Sequence, residues 1–525
     1  MTGQYLLGID IGTYSSKGAL VRRSGEIVAT KVVEHPLEMP KQGWAEHDAE
    51  AAWWGDFLEI TRFLLHSSGI SPQQIAGIGF SAISPAVLPI DREGRPLRKA
   101  ILYGIDTRAT AEIAELQRTI DADPVLRMQG VRLSSQSAAP KVLWIRRHEP
   151  EVWARTHLVV GGSGFLVYRL TGKVTLDIYE AAGFAPFVDL EAHRWRADTG
   201  QYLAPEDRLP RLTWTCDIAG RVSAEGARLS GLAEGTPIIT GTADAAAEAV
   251  SAGLAEIGDM MVMYGSSVFF ILRTAHLEAA PHFWCARFLE PGTYVLTGGM
   301  STSGSLTKWF RDQFSPLEVQ AENSGGENAY AELARLAAAS PPGANGLVML
   351  PYFAGERTPL LDPDARGMIF GLGLNHTRAD LYRALLEAVG FGIRHNIDQM
   401  REEGADPKRI LAVGGGTHNP LWMQIVSDIA GIEQHIPQQR IGASYGDALL
   451  AGVGVGLFGG VADAAGRIKM GLVIRPESAA QRNYEAQYRI YRELYEKTAP
   501  LMGRLTAVVR GDDTPPFDDQ PSPQR

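Results

Sequence analysis

The sequence predicts an α/β protein of at least two globular domains, and three observations lead to this prediction. The chain has 525 residues, more than one hydrophobic core normally holds. Apolar strand-like runs are interspersed with stretches of helical periodicity. An order of strand, turn, strand, strand and helix begins near residue 5 and recurs more loosely near residue 259, which indicates internal duplication.

The first half begins with an antiparallel meander of three strands, followed by a helix and a buried strand. The predicted bounds are 5–9, 16–21 and 26–33 for the meander, 49–65 for the helix and 75–80 for the last strand. The helix is predicted because apolar residues recur at helical spacing after Asp48, which is the expected N-cap.

The second half repeats this order and then adds two helices around one more strand. Strands are predicted at 259–264, 268–273, 294–298 and 409–413, and helices at 306–314, 379–400 and 419–430. These patterns divide the chain into domains at 1–250 and 251–505, with the boundary within residues 246–258. A disordered tail is predicted for 506–525, because its last 15 residues, 511–525, are rich in Pro and Asp with few apolar side chains.

Composition excludes several classes of partner. The net charge of −10 comes with no basic stripe, so no nucleic-acid partner is expected. Two cysteines, Cys216 and Cys285, are too few for a disulfide scaffold and favour a reducing, cytoplasmic location. No signal peptide is visible, and the longest uncharged stretch, 448–462, is too short and too rich in glycine for a membrane span.

One turn occurs twice, each time after an apolar run. Gly12-Thr13 follows the first strand, and Gly265-Ser266-Ser267 follows the strand at 259–264. A glycine before a hydroxyl residue can present N–H and O–H groups to an anion, although a single copy is typical of an ordinary tight turn. The repetition indicates two half-sites that face one polyphosphate.

Three charged residues near such turns suit phosphate chemistry. Asp10 can anchor a hydrated Mg²⁺ ion at a strand end, or simply bond its own turn. Lys17 is spaced to reach back over a phosphate, or it is a solvated charge. Asp244, in Gly241-Thr-Ala-Asp244, suits a general base, and a role as helix N-cap explains it equally well.

Two further glycine-rich junctions lie between predicted strands and helices. The first runs from Gly298 through Gly304 to Lys308, and the second comprises Gly414-Gly415-Gly416 and continues to Asn419. Glycines let a flat ring lie close to the backbone, and Asn419 can cap a helix or contact a nucleotide. Each junction is weak evidence alone, but all four lie at predicted strand ends.

At this point the sequence resembles the FGGY carbohydrate kinases, within the actin-like and hexokinase-like ATPase superfamily, over nearly all of residues 4–500. The first two turns resemble the family's phosphate loops, Gly241-Thr-Ala-Asp244 its catalytic segment, and the three glycines its adenosine loop. The most specific similarity is Gly367-Met-Ile-Phe-Gly-Leu372 followed by Asp380-Leu381 and Ala384-Leu-Leu-Glu387. The segments Leu350 to Pro359 and Lys141-Val-Leu-Trp144 are also typical of the family.

The resemblance implies two ribonuclease-H-like domains, each a mixed sheet flanked by helices, that close a cleft on a sugar and MgATP. It implies that Asp244 is the base, that Ser84, Asp106, Arg108 and Asp244 bind the sugar, and that Asp10 and Asp244 hold Mg²⁺ through water. The implied nucleotide contacts are Gly12, Thr13, Lys17, Gly265, Ser266, Ser267, Gly304, Lys308, Gly415, Gly416 and Asn419.

Within the family the sequence is most similar to xylulose kinases, which implies a ketopentose such as D-xylulose as substrate and its 5-phosphate as product. Those enzymes usually carry Gln-Met-His-Gly where this chain has Ile83-Ser84-Pro85-Ala86, and a tryptophan where it has Gly104, beside Tyr103. Another ketose, a polyol or a sugar acid therefore stays open as substrate. A non-catalytic sugar and ATP sensor or a conformational ATPase is the alternative of a different class, and a homodimer stays open.

Overall fold

The computed structural model describes residues 4–127, 131–277 and 280–510, and it contains two seven-stranded mixed sheets with helices packed on their faces. The first sheet has the strand order Ile218–Arg221, Pro237–Ile239, Ile75–Ala82, Tyr5–Ile11, Ser15–Arg22, Ile27–Glu34, and its seventh strand, Thr242–Ala243, also pairs with Ile75–Ala82. The last three strands of that order are the predicted meander, and they are antiparallel.

The second sheet has the order Trp284–Arg287, Tyr294–Met300, Val268–Thr274, Asp259–Tyr264, Arg409–Val413, Gln434–Pro437, Met470–Ile474. Read from Tyr294–Met300 onwards, it has the same sequence of pairings as the first sheet read from Ile27–Glu34. Three antiparallel strands are followed by two strands that run parallel to the third, and an antiparallel strand comes last. The internal duplication predicted from the sequence pattern is therefore present in the pairing.

Helices and small two-stranded sheets complete the fold. The helices are Asp56–Ser68, Thr110–Ala122, Pro124–Arg127, Ala139–His148, Pro150–Arg155, Gly162–Thr171, Ile178–Ala181, Thr199–Tyr202, Ala224–Ser230, Asp244–Ala252, Gly304–Phe314, Pro316–Asn323, Ala329–Ala338, Arg378–Glu402, Pro420–Ala430, Ala443–Gly454, Val461–Gly466 and Ser478–Arg510. The small sheets pair Glu46–His47 with Ala100–Ile101, Leu88–Ile90 with Leu158–Val160, Thr175–Asp177 with Arg211–Thr213, Val188–Asp189 with Arg194–Trp195, and Val348–Leu350 with Met368–Phe370.

Two predicted elements differ from the structure. The helix predicted over 49–65 begins as a π-helix, Ala49–Gly55, and continues as Asp56–Ser68, with Asp48 accepting hydrogen bonds from the backbone of Glu50 and Ala51 as the predicted N-cap. The helix Ser478–Arg510 extends into the predicted tail, because Met502 and Thr506 are buried on its inner face. The rest of that tail, 511–525, lies outside the described residues.

Two helices lie between the sheets, and we call Asp244–Ala252 and Ala443–Gly454 the hinge helices. They pack against each other, and the second one also packs on the strands of the first sheet. Glycines permit this approach. A Cβ on Gly8 would lie 2.0 Å from the Ser444 carbonyl oxygen, and one on Gly446 would lie 1.9 Å from that of Ala247. Over the described residues, none of the helices has the length and apolar character needed to cross a membrane.

Candidate active site

Three loops meet where the parallel strands of the first sheet end. The turn at Gly12-Thr13 follows Tyr5–Ile11, and Ile83 follows the neighbouring strand Ile75–Ala82. The backbone N–H of Ile83 donates to the Ile11 carbonyl, at 2.9 Å. On the other side of that strand Thr242 is paired with Ser81, which brings Asp244 to the same edge. Carboxyl ends of parallel strands are the usual place for a ligand in such sheets.

Two buried histidines hold the first turn. His47 Nδ1 accepts from the indole N–H of Trp53, so its Nε2 carries the proton and donates to the Thr13 carbonyl at 3.1 Å. Burial, with His35 nearby, lowers the pKa of His47 to about 4, which keeps this ring neutral. His35 lies between two acceptors, with Nε2 3.1 Å from the Gly12 carbonyl oxygen and Nδ1 2.7 Å from the Asp56 carboxylate.

Asp10 lies under this turn and is joined to the second half of the chain. The Ser81 hydroxyl is 3.2 Å from Asp10 Oδ1 and 2.8 Å from Oδ2 of Asp447, which lies on the second hinge helix. Burial raises the pKa of Asp10 to about 6, although the nearby Lys17 opposes the shift. Burial, with Asp10 nearby, also holds the pKa of Asp447 well above its ordinary range.

Asp244 is the first residue of a hinge helix, not its cap. Ala243 occupies the N-cap position, and Asp244 Oδ1 accepts from the backbone N–H of Ala245 at 2.8 Å. Burial, with Asp10 and Glu248 nearby, raises the pKa of Asp244 to about 7. Burial, followed by the charge of Asp10, raises the pKa of Glu248 to about 7 as well. Lys17 opposes both shifts, so its ammonium lies among these carboxylates.

The second predicted phosphate turn is built into the start of a helix. The Gly265 N–H donates to the Ser267 carbonyl, and the Gly304 N–H donates to the Gly265 carbonyl at 2.9 Å. The backbone N–H groups of Ser303 and Ser305 both donate to the Ser266 carbonyl. A Cβ on Gly304 would lie 2.7 Å from the Gly265 carbonyl oxygen, so this close contact needs glycine.

The third glycine-rich turn lies beside the second, because Arg409–Val413 is parallel to Asp259–Tyr264. Gly414 has a φ of 88°, and its missing Cβ leaves room for the Tyr264 backbone, whereas a Cβ on Gly415 would meet nothing within 4 Å. Asn419 caps the following helix by accepting from the Trp422 N–H at 3.1 Å. Lys308 lies on the exposed side of its helix and pairs with Asp312.

Asp106 and Arg108, which are predicted to bind the sugar, are enclosed in the protein. Both side chains are 0% exposed, and each Asp106 oxygen already accepts from the Arg108 guanidinium. Asp106 Oδ2 also accepts from the Ala45 N–H at 2.7 Å. The Arg108 guanidinium lies 3.9 Å from the Trp44 ring centre and donates to Glu46. With their hydrogen-bonding groups engaged, these side chains hold a loop, which is at odds with the predicted contact to a sugar.

Ser84 lies beside a small cavity that contains a buried carboxyl group, that of Glu180. The cavity is lined by Ser84, Pro85, Ala86, Val159, Gly161, Leu176, Glu180, Phe184 and Pro210. The Ser163 hydroxyl donates to Glu180 Oε2 at 2.8 Å. Burial, with Asp177 nearby, raises the pKa of Glu180 well above its ordinary value and so favours its neutral form.

Sequence reasoning missed several residues of this site. His35 and His47 act on backbone carbonyls, and no spacing rule points to such contacts. The sequence does contain a feature that could have indicated Asp447, because this residue is a lone carboxylate immediately before the uncharged stretch 448–462. Tyr103 belongs to none of the glycine-rich turns, yet its hydroxyl lies 3.1 Å from Thr13 Oγ1.

The carboxylates do not form a cage for a bare metal ion. Within residues 4–127, 131–277 and 280–510, no three His, Cys, Asp or Glu side chains are grouped closely enough to hold a metal directly. Asp447 Oδ1 is among the buried side-chain oxygens that have no hydrogen-bond partner in the part of the chain that the structure describes. A carboxylate-lined space with a free oxygen suits a hard cation that keeps most of its water.

Comparisons with known proteins agree with this architecture. The chain is 34% identical to a xylulose kinase from Rhodospirillum rubrum of solved structure, with a TM-score of 0.87 over 95% of this chain and 100% of that one. It is 28% identical to a xylulose kinase of Staphylococcus epidermidis RP62A over 97% of this chain and 100% of that protein. It is 27% identical to the L-xylulose/3-keto-L-gulonate kinase of Escherichia coli K12, over 94% and 96%.

These likenesses confirm the predicted fold class of two actin-like and hexokinase-like domains. The FGGY family of carbohydrate kinases is defined by an N-terminal and a C-terminal domain, and these match residues 5–251 and 260–455. The two matches span the strands of both sheets except Met470–Ile474, which lies beyond residue 455, and they include nearly all of both hinge helices. The chain belongs to the FGGY family of carbohydrate kinases.

Proposed function

We propose that the protein transfers the γ-phosphoryl group of ATP to the terminal hydroxyl of a ketopentose, D-xylulose, and releases D-xylulose 5-phosphate and ADP. The likeness to xylulose kinases over nearly the whole chain supports the substrate. The observation that carries the reaction type is Asp244, a largely enclosed carboxylate beside Lys17 at the end of the first sheet.

Asp244 is the general base of this proposal. A carboxylate with a pKa near 7 is a stronger base than an ordinary aspartate, and about half of it is ionised at pH 7. Asp244 takes the proton of the sugar hydroxyl as that oxygen bonds to the γ-phosphorus. The bond between this phosphorus and the β,γ-bridging oxygen breaks, and its electron pair leaves with ADP.

The glycine turns are the proposed nucleotide site. Gly12, Thr13 and Lys17 from the first half would face Gly265, Ser266, Ser267 and Gly304 from the second across the phosphates. The open space beside Gly415, with Gly416 and Asn419, suits the adenosine. The exposed Lys308 is a further proposed contact. The Gly12, Gly265 and Gly304 N–H groups already donate to carbonyls, so the groups proposed to bind the phosphates are the Lys17 ammonium and the neighbouring hydroxyls.

Mg²⁺ is the proposed companion of ATP, held through water by Asp10 and Asp244. The buried carboxylates and the unpartnered Asp447 Oδ1 fit an ion that prefers oxygen ligands. When bound, the ion would neutralise negative charge on the transferred phosphoryl group.

A coupled assay of ADP release across a panel of sugars tests this function. The panel contains D-xylulose, L-xylulose, D-ribulose, D-fructose, xylitol, glycerol and gluconate. We expect D-xylulose to have the highest kcat/KM, and ³¹P NMR of the product to show a 5-phosphate. A higher kcat/KM for gluconate or a polyol would overturn the substrate, and sugar binding without ADP release would favour the sensor.

A further inference from the structure

Tyr103 lies where the elements of the candidate site converge. Its hydroxyl is 3.1 Å from Thr13 Oγ1, in the first phosphate turn. Ile101 and Val87 exchange both backbone hydrogen bonds, so the two segments are antiparallel at this point. Tyr103, two residues after Ile101, therefore lies at the same end of the pair as Ser84 and Pro85, which precede Val87. The phenol also lies within electrostatic range of Asp244 in the first half and of Arg357 in the second.

The loop that presents Tyr103 is held rigidly from behind. The Tyr103 carbonyl accepts from the Asp106 N–H at 2.9 Å, which closes a turn, and the Leu102 N–H donates to the Ala45 carbonyl. The enclosed Asp106–Arg108 pair fastens the same turn to Ala45 through Asp106 Oδ2. A fixed side chain loses little entropy when it binds a ligand, so this loop suits a specific contact.

A sugar at this site needs hydrogen-bond partners that the predicted residues do not supply. Asp106 and Arg108 are enclosed, and of the residues 83–86 only Ser84 has a polar side chain. A phenol hydroxyl donates one hydrogen bond and accepts others, so Tyr103 keeps capacity beyond its contact with Thr13. Burial raises the pKa of Tyr103 above its usual value, so it stays a neutral donor at physiological pH.

We propose that the Tyr103 hydroxyl hydrogen bonds to a non-reacting hydroxyl of the sugar beside Asp244, and that this contact helps decide which sugar is phosphorylated. The inference rests on the proposed sugar-kinase function. Sites that hydrogen bond a hydroxyl reject analogues that lack it, because the protein group is then left without a partner.

The experiment combines Tyr103→Phe with deoxy analogues of the best acceptor, starting with 1-deoxy-, 3-deoxy- and 4-deoxy-D-xylulose. We expect the variant to lower kcat/KM for D-xylulose by about tenfold or more, the usual effect of one lost hydrogen bond in a desolvated site. For the one analogue that lacks the contacted oxygen, wild type and variant should have the same kcat/KM. The KM for ATP and the slow sugar-free hydrolysis of ATP should stay unchanged.

Tyr168→Phe is the matched control, because its hydroxyl donates to the Arg92 carbonyl on the surface of the same half. It should leave all these values as in wild type. An equal loss for every analogue, no loss for any of them, or a raised KM for ATP would each overturn the contact. A wild type that phosphorylates no sugar would instead overturn the proposed function.

Discussion

Asp244 combines two properties that a base for a sugar hydroxyl needs. It lies at a strand end beside Lys17, and its enclosure raises its pKa to about 7. Its one side-chain hydrogen bond from a described residue comes from the adjacent Ala245 N–H, so the carboxylate keeps capacity for a substrate proton. The same residue type on the exposed face of a helix would have neither the raised pKa nor a fixed direction.

Replacement of Asp244 by Asn tests the base. Asn keeps the size and the contact with the Ala245 N–H but cannot accept the proton, so we expect kcat to fall by about 10²-fold or more. Steady-state kinetics should show a nearly unchanged KM for ATP. Glu225→Gln, an exposed carboxylate change in the same half, is the control. Normal turnover by the Asn variant would remove Asp244 from the base role.

His47 gives the protein a stability that depends on pH. Its folded pKa of about 4 lies below the ordinary 6.5, so the unfolded chain binds this proton first as pH falls. The wild type should therefore lose up to about 3 kcal/mol of stability between pH 6.5 and pH 4 from this one group. His47→Gln removes the titration and keeps a donor for the Thr13 carbonyl.

Denaturant unfolding at a series of pH values between 4 and 7 checks this expectation. The difference in unfolding free energy between wild type and His47→Gln should shrink as the pH falls through that window. His66→Gln, a change on the exposed side of Asp56–Ser68, should run parallel to wild type. If the curve for His47→Gln ran parallel to that of wild type, it would contradict a neutral His47 with both ring nitrogens hydrogen bonded.

Among the elements, the hinge helices depend most on small residues. A Cβ on Gly446 would lie 1.9 Å from the Ala247 carbonyl oxygen, which is backbone and cannot move aside cheaply. We expect Gly446→Ala to lower stability by about 2 kcal/mol or more, as overpacking at backbone contacts does. Gly466→Ala, also helical but with open space around its Cβ position, should be neutral or slightly stabilising. Thermal unfolding of both variants separates packing from helix propensity, and equal effects would contradict the close contact.

Local patterns could be predicted from the sequence, and long-range contacts could not. The turns at Gly12 and Gly265 could be identified because a glycine and a hydroxyl residue follow an apolar run. The bond between Ser81 and Asp447 joins residues 366 positions apart, and no spacing indicates it. Asp106 and Arg108 could face either the cleft or the interior, and only packing against Trp44 decides.

As a whole, the molecule is a carbohydrate kinase whose two predicted phosphate turns lie on different sheets. The hinge helices connect these sheets, so the turns can approach each other when a ligand spans them. We expect D-xylulose together with a non-hydrolysable ATP analogue to reduce the radius of gyration in small-angle X-ray scattering. The effect should exceed that of either ligand alone, and an unchanged radius at saturation would contradict closure.

The position of the second hinge helix also determines how the chain can be divided. Ala443–Gly454 covers strands that lie more than 350 residues earlier in the chain. Gly8 and Gly79 of these strands contact the backbone of the helix. A fragment that stops at residue 252 would leave this apolar surface in water and should aggregate. When this fragment is co-expressed with the rest of the chain, the second hinge helix should cover that surface and keep the fragment in solution. The two halves therefore depend on each other to fold, although each resembles a domain.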